Sequence, residues 1–129
     1  MPPTKMNEIV KVAVFAVGIA ILDLPWLLLQ NSWVQEFVRE IQGGRSMNVR
    51  LWAAAPVYIA LGYLLSQQIS APRAALAGMA VYAVYDFTQL LTFDNYPLKF
   101  AIVDTLWGGV LMSFSWWLAH RLGLLSADK

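Results

Sequence analysis

The stretch AALAGMAVYAVYDFTQLLTF, residues 74–93, decides the fold. Residues 74–85 contain no ionisable group other than tyrosine. A helix of a soluble four-helix bundle needs a charged face toward water, and this stretch has none. Its 20 residues instead match the length of a helix that crosses about 30 Å of hydrocarbon. The stretch therefore predicts a membrane-spanning helix.

Three further apolar stretches cover residues 9–29, 49–65 and 100–122, and the second of them is the shortest. Hydrophobic residues make up 59% of the chain, charged residues make up 13%, and the mean hydropathy is +0.56. This balance is typical of a membrane protein. We interpret residues 9–29 as a retained span, because the apolar run lacks a cleavage site for signal peptidase. Residues 1–129 are thus predicted to form one all-α integral membrane domain, a four-helix transmembrane bundle with both termini on the same side.

Composition also excludes several classes of function. The absence of cysteine excludes disulfides, thiolate catalysis and cysteine metal sites, and it leaves the redox compartment open. The net charge is +1 and the basic residues are scattered, so nucleic-acid binding is not supported. Basic residues are divided almost evenly between the two predicted faces, so the positive-inside rule does not orient the chain.

The connection between the first two spans has an amphipathic pattern. Trp33, Phe37 and Ile41 recur at four-residue spacing, polar residues fill the other side, and Gly43 follows. This pattern predicts an interfacial helix between helices 1 and 2. It is interpreted as a connector on the bilayer surface or, alternatively, as a lid that contacts lipid headgroups.

Three aspartates, Asp23, Asp86 and Asp104, lie in three separate apolar stretches, where an isolated charge is costly. A helical rise of 1.5 Å per residue puts them at depths of roughly 9, 10 and 6 Å from one membrane face. That face carries the first and third connections. Three carboxyls that arrive at one level in a small bundle can meet, so we predict one shared polar site.

Neighbouring side chains extend this candidate site. Helical spacing puts hydrogen-bonding residues near Asp86, indole N–H donors lie close to the other two aspartates, and Pro25 favours a kink beside Asp23. The alternative is that each aspartate only holds helices together. The predicted site for a ligand or proton consists of Asp23, Asp86, Asp104, Tyr82, Tyr85, Gln89, Trp26 and Trp107.

Several motifs also resemble a known family. The chain reads LDLPWL at 22–27, YAVYDFTQ at 82–89, YPLK at 96–99 and DTLWG at 104–108. In this order they resemble domain of unknown function family 2177 over nearly the whole chain. Gln89 and Tyr96 stand where that family more usually has Asn and Trp. Residues 41–44 and 57–63 look closer to its algal and large-DNA-virus branch. The resemblance implies a four-helix integral membrane protein and supplies no activity.

Three functions remain open at this point. The first is an intramembrane carboxylate site that binds or conducts protons or a small cation. The second is a lipid-modifying enzyme or its accessory, which is disfavoured because no nucleophile, metal set or phosphate-binding loop is present. The third is a structural protein that organises a membrane or an assembly. No cofactor is expected, and the expected partners are the lipid bilayer and a second copy of the chain.

Overall fold

The computed structural model describes residues 7–125 and contains only helices and their connections there. Residues 1–6 and 126–129 of the predicted domain lie outside this range. The all-α, four-helix architecture predicted from the sequence is confirmed. The helices are α1 (Glu8–Ile41), α2 (Ala54–Ser66), α3 (Ala71–Thr92) and α4 (Leu98–Arg121), and a 3₁₀ turn, Leu51–Ala53, leads into α2.

Local hydrogen bonds set several of these boundaries. The Asn7 side chain accepts a hydrogen bond from the Ile9 N–H at 2.8 Å, and the Ser70 side chain accepts one from the Arg73 N–H at 3.2 Å. Each caps a backbone donor that the first turn of a helix leaves unpaired. After α4, Gly123 has a φ of +77°, a conformation that glycine adopts without a steric penalty.

Helices α1, α3 and α4 are long and apolar enough to cross a membrane. The second predicted span corresponds to the shorter apolar segment Leu51–Ser66. With its 3₁₀ turn, this segment extends for about 25 Å at the standard rises per residue. It is therefore the shortest of the four helical segments, as the sequence indicates.

Helix α1 is longer than its predicted span. It has 34 residues, or about 51 Å, and it continues through Pro25. The amphipathic segment is helical, as predicted, but it forms the last turns of α1 instead of a separate helix. Its apolar side is covered by protein, since the Phe37 ring lies 5.3 Å from the Tyr96 ring and 5.0 Å from the Phe100 ring. A helix lying along the bilayer surface would bury its apolar side in lipid. In this fold Tyr96 and Phe100 cover that side instead.

The four helices form two hairpins. Helix α1 packs against α2, α3 packs against α4, and α1 and α4 join the two hairpins. Helices α2 and α3 make little direct contact among the described residues. The main core lies where the hairpins meet, and Ile19, Leu65, Leu111 and Met112 are its most deeply buried large side chains.

Glycines allow the helices of each hairpin to approach closely. A Cβ on Gly78 would collide with the carbonyl oxygen of Gly108, and a Cβ on Gly62 would lie 2.7 Å from the carbonyl oxygen of Val12. Both obstacles are backbone atoms, so a side chain there requires the helices to move apart. Gly108 has the same role, since a Cβ there would lie 2.8 Å from the carbonyl oxygen of Gly78.

We expect Gly78→Ala to lower the free energy of unfolding by about 1–3 kcal/mol, because overpacking forces a backbone shift. Gly18 is the matched control, since a Cβ there meets nothing within 4 Å. Gly18→Ala should be neutral or stabilising by up to about 1 kcal/mol, because alanine favours a helix. Unfolding in SDS, followed by circular dichroism, measures both. Equal stability of the two variants would contradict the proposed close contact.

Candidate functional site

All three aspartates are buried. Asp86 is fully buried, and the exposed fractions of Asp23 and Asp104 are 4% and 7%. A buried carboxylate without hydrogen-bond partners is strongly unfavourable in an apolar environment. Each aspartate must therefore find donors on neighbouring elements or carry a proton.

Helices α1 and α4 each supply a hydrogen-bond donor to an aspartate of the other helix. Trp26 Nε1 donates to Asp104 Oδ1 at 2.8 Å, and Trp107 Nε1 donates to Asp23 Oδ1 at 2.7 Å. On each helix the tryptophan follows the aspartate by three residues, so both side chains share one face. Because the two helices run antiparallel, each aspartate lies opposite the tryptophan of the other helix. We call Asp23, Trp26, Asp104 and Trp107 the Asp–Trp square.

The two indole rings complete the Asp–Trp square. Their centroids lie 6.0 Å apart, with an angle of 31° between the ring planes. Such a tilted aromatic pair adds favourable packing to the two hydrogen bonds. The sequence identified all four residues as site candidates, and the structure brings all four together.

Tyr58 connects α2 to the same network. Its hydroxyl donates to Asp23 Oδ2 at 2.5 Å, so both oxygens of Asp23 have a donor. Tyr58 is absent from the site predicted from the sequence. Its depth could have indicated it, since Tyr58 lies seven residues after Leu51, or about 12 Å along the helical segment.

Asp86 is bound differently from the other two aspartates. Its Oδ1 accepts a hydrogen bond from the Tyr96 hydroxyl at 2.8 Å, whereas its Oδ2 has no such donor in the described chain. The Asp86 side chain lies within hydrogen-bond reach of Asp104. Two carboxyl groups can form a hydrogen bond only when one of them carries a proton. A hydrogen bond between Asp86 and Asp104 would therefore require one proton shared by the pair.

Tyr96 is the second partner that the predicted site lacked. It lies in the connection between α3 and α4, and its side chain is buried. Burial, and after it the hydrogen bond to Asp86, raise the pKa of the Tyr96 phenol well above its ordinary value. The hydroxyl therefore stays protonated at physiological pH and donates to the aspartate.

The three remaining predicted residues lie around the network without binding a carboxyl. Tyr82 packs over Gly108, and Tyr85 and Gln89 line a cleft beside the network. In the described chain none of them forms a hydrogen bond to an aspartate. Tyr85 is 60% exposed although its neighbour Asp86 is fully buried, because consecutive helical residues point about 100° apart.

A cleft of about 560 Å³ lies beside the network, and Asp23 and Asp104 are among its lining residues. Of its 20 lining residues, 12 are aliphatic, Met, Phe or Trp, four are Tyr, and four are Asp or Gln. Its rim includes Val57 on α2 and Val81 and Tyr85 on α3, which are all exposed. We call this space the lateral cleft, since it opens sideways between α2 and α3.

The carboxyls form a connected series and not a cage. Among the described residues, no group of three or more His, Cys, Asp or Glu side chains is placed to hold a metal ion. Asp23 and Asp104 are linked through the Asp–Trp square, and Asp104 and Asp86 lie in direct reach of each other. This arrangement is suited to hydrogen bonding and proton exchange.

Long apolar helices around a buried carboxyl network define a helical membrane protein. In agreement, residues 8–120 match the model of the family described as predicted membrane protein, DUF2177, and the chain belongs to this family. The family resemblance of the sequence motifs is thereby confirmed. No curated protein and no solved structure matches the chain.

We expect Trp107→Phe to lower the free energy of unfolding by about 0.6–2 kcal/mol, because Asp23 loses one donor inside the bundle. Trp52→Phe is the control, since Trp52 is 75% exposed in the 3₁₀ turn. Unfolding in SDS, monitored by circular dichroism, compares the two variants with the wild type. A loss for Trp107→Phe no larger than that for Trp52→Phe would show that the indole bond contributes nothing.

Proposed function

We propose that this membrane protein holds and exchanges a proton at the carboxyl pair Asp86 and Asp104. The observation that carries the proposal is the contact between these two buried carboxyls. Asp86 Oδ2 has no donor in the described chain, so a shared proton would satisfy it. A proton held between two acids can leave and return without a large rearrangement, which is what proton transfer requires.

The same contacts favour a proton over a small metal cation. Both oxygens of Asp23 and one oxygen each of Asp86 and Asp104 already accept hydrogen bonds from Tyr or Trp. A hard cation needs about six or more oxygen ligands gathered around one point. The carboxyl series instead presents few free oxygens, and its members are spread over three helices.

Asp104 and Asp86 each have a further neighbour outside the pair. Asp104 lines the lateral cleft, which is open at its rim, while Asp86 is hydrogen-bonded to Tyr96 in the α3–α4 connection. The series Asp104, Asp86 and Tyr96 would therefore lead from the cleft toward the membrane face that carries this connection. A tyrosine hydroxyl both donates and accepts hydrogen bonds, so it can belong to a proton pathway.

We expect the purified wild-type protein in liposomes to dissipate a pH gradient faster than protein-free liposomes do, as measured with an internal pH-sensitive dye. Asp86→Asn should reduce the rate to that of protein-free liposomes. The amide of asparagine can still donate to Asp104, so the hydrogen bond is kept while the exchangeable acid is lost.

Asp94→Asn is the matched control, since Asp94 is an exposed aspartate in the connection after α3. It should conduct protons like the wild type. Proton flux that Asp86→Asn leaves unchanged would refute the proposed site. The absence of flux in all three folded proteins would favour the structural alternative, in which the reciprocal Asp–Trp bonds serve only to hold the hairpins together.

We propose a single membrane domain in which α2 crosses the bilayer with α1, α3 and α4, which would put both termini on the same side. A second copy of the chain remains the proposed protein partner. The relation to the algal and large-DNA-virus branch remains a prediction from residues 41–44 and 57–63.

A further inference from the structure

We infer that the lateral cleft binds a lipophilic amine, a molecule with a protonated amino head and an apolar tail, which enters from the bilayer between α2 and α3. This inference deepens the proposed function and rests on it, since Asp104 of the proton-exchanging pair also lines the cleft and would receive the amino group. It names a class of ligand that proton exchange alone does not require.

The polar lining of the cleft includes acidic and amide oxygens that can accept hydrogen bonds. Asp23 and Asp104 line it, and the buried Gln30 Oε1, also in the lining, has no donor in the described chain. An ammonium group carries a positive charge but needs acceptors for only three N–H donors, fewer than the six or more oxygens that a hard metal cation requires, so it matches such a surface. The carboxylates would also compensate the charge that the head brings into the membrane.

The residues that line the cleft disfavour an anionic head group. No Lys, Arg or His is among the described residues that line the cleft. A phosphate or carboxylate head would therefore face Asp23 and Asp104 without a compensating cation, and like charges at short distance repel strongly in an apolar environment. This excludes ordinary anionic lipids as well-matched occupants.

The rest of the cleft matches an apolar tail. Most of its lining is aliphatic or aromatic, and its volume of about 560 Å³ lies within the range of small-molecule sites. The exposed rim residues Val57, Val81 and Tyr85 face the environment of the helices, which in a membrane is lipid. Because α2 and α3 make little contact, a tail can extend between them into the bilayer.

The test measures binding of radiolabelled octylamine to the protein in lipid nanodiscs by equilibrium dialysis, with empty nanodiscs as the blank. Octanol and octanoate, which share the tail, are the head-group controls. We expect saturable octylamine binding, with octanol and octanoate weaker by about tenfold or more, a difference of about 1.4 kcal/mol. Octanoate that binds as tightly as octylamine would overturn the inference.

Two matched pairs of variants locate the site. Val81 lines the rim and Val84 does not, and both are exposed valines of α3. Val81→Phe should weaken octylamine binding by about tenfold, whereas Val84→Phe should leave it unchanged. Ala60→Leu at the α2 rim, with Ala55→Leu outside the cleft as its control, repeats the comparison in case Val81→Phe does not fold. Equal binding by rim and control variants would overturn the inference.

The two proposals fail in different ways. Proton flux that depends on Asp86, together with no saturable octylamine binding, would overturn the amine site and leave proton exchange supported. Saturable octylamine binding that Val81→Phe weakens, in a protein without flux, would support the amine site and refute conduction.

Discussion

The requirement that no buried carboxyl remain without a hydrogen-bond partner governs this structure. Asp23 draws donors from α2 and α4, and Asp104 draws a donor from α1. Such bonds contribute only about 0.6–2 kcal/mol each within a membrane, where the hydrophobic effect does not drive helices together. These bonds are directional. A bond from an indole N–H to one carboxylate oxygen therefore specifies the rotation and the depth of the two helices that it joins. The Asp–Trp square therefore sets the register of α1 against α4.

Packing and polar bonding together hold this bundle. Within each hairpin, glycines such as Gly62 and Gly78 let the backbones approach closely, and van der Waals contact holds the helices together. Between the hairpins, the two Asp–Trp bonds lie on the α1–α4 side. The opposite side, between α2 and α3, is left with little contact, and the lateral cleft lies there. The cleft and the network thus arise from the same arrangement of hairpins.

Hydropathy was sufficient to predict the helices, because an apolar run of membrane length has few alternatives. Predicted span 74–93 corresponds to Ala71–Thr92, and span 100–122 corresponds to Leu98–Arg121. Depth along each helix was enough to bring the aspartates together. The hydrogen-bond partners of the aspartates were harder to predict, because they depend on how each helix is rotated relative to its neighbours. Tyr58 and Tyr96 were missed for this reason, and Tyr85 lines the cleft without a hydrogen bond to Asp86 in the described chain. The repeated Asp-x-x-Trp spacing at residues 23–26 and 104–107 was a readable sign of the reciprocal bonds.

The glycine contacts within each hairpin have a mechanical consequence. Helices whose backbones touch cannot slide or separate without losing that contact, so each hairpin behaves as one rigid body. The seam between α1 and α4 is the line along which these two bodies are joined. A change in the width of the cleft is then a hinge rotation about this seam, and it strains the indole bonds that accompany the aspartates. The width of the cleft and the geometry of the indole bonds would therefore change together in this fold.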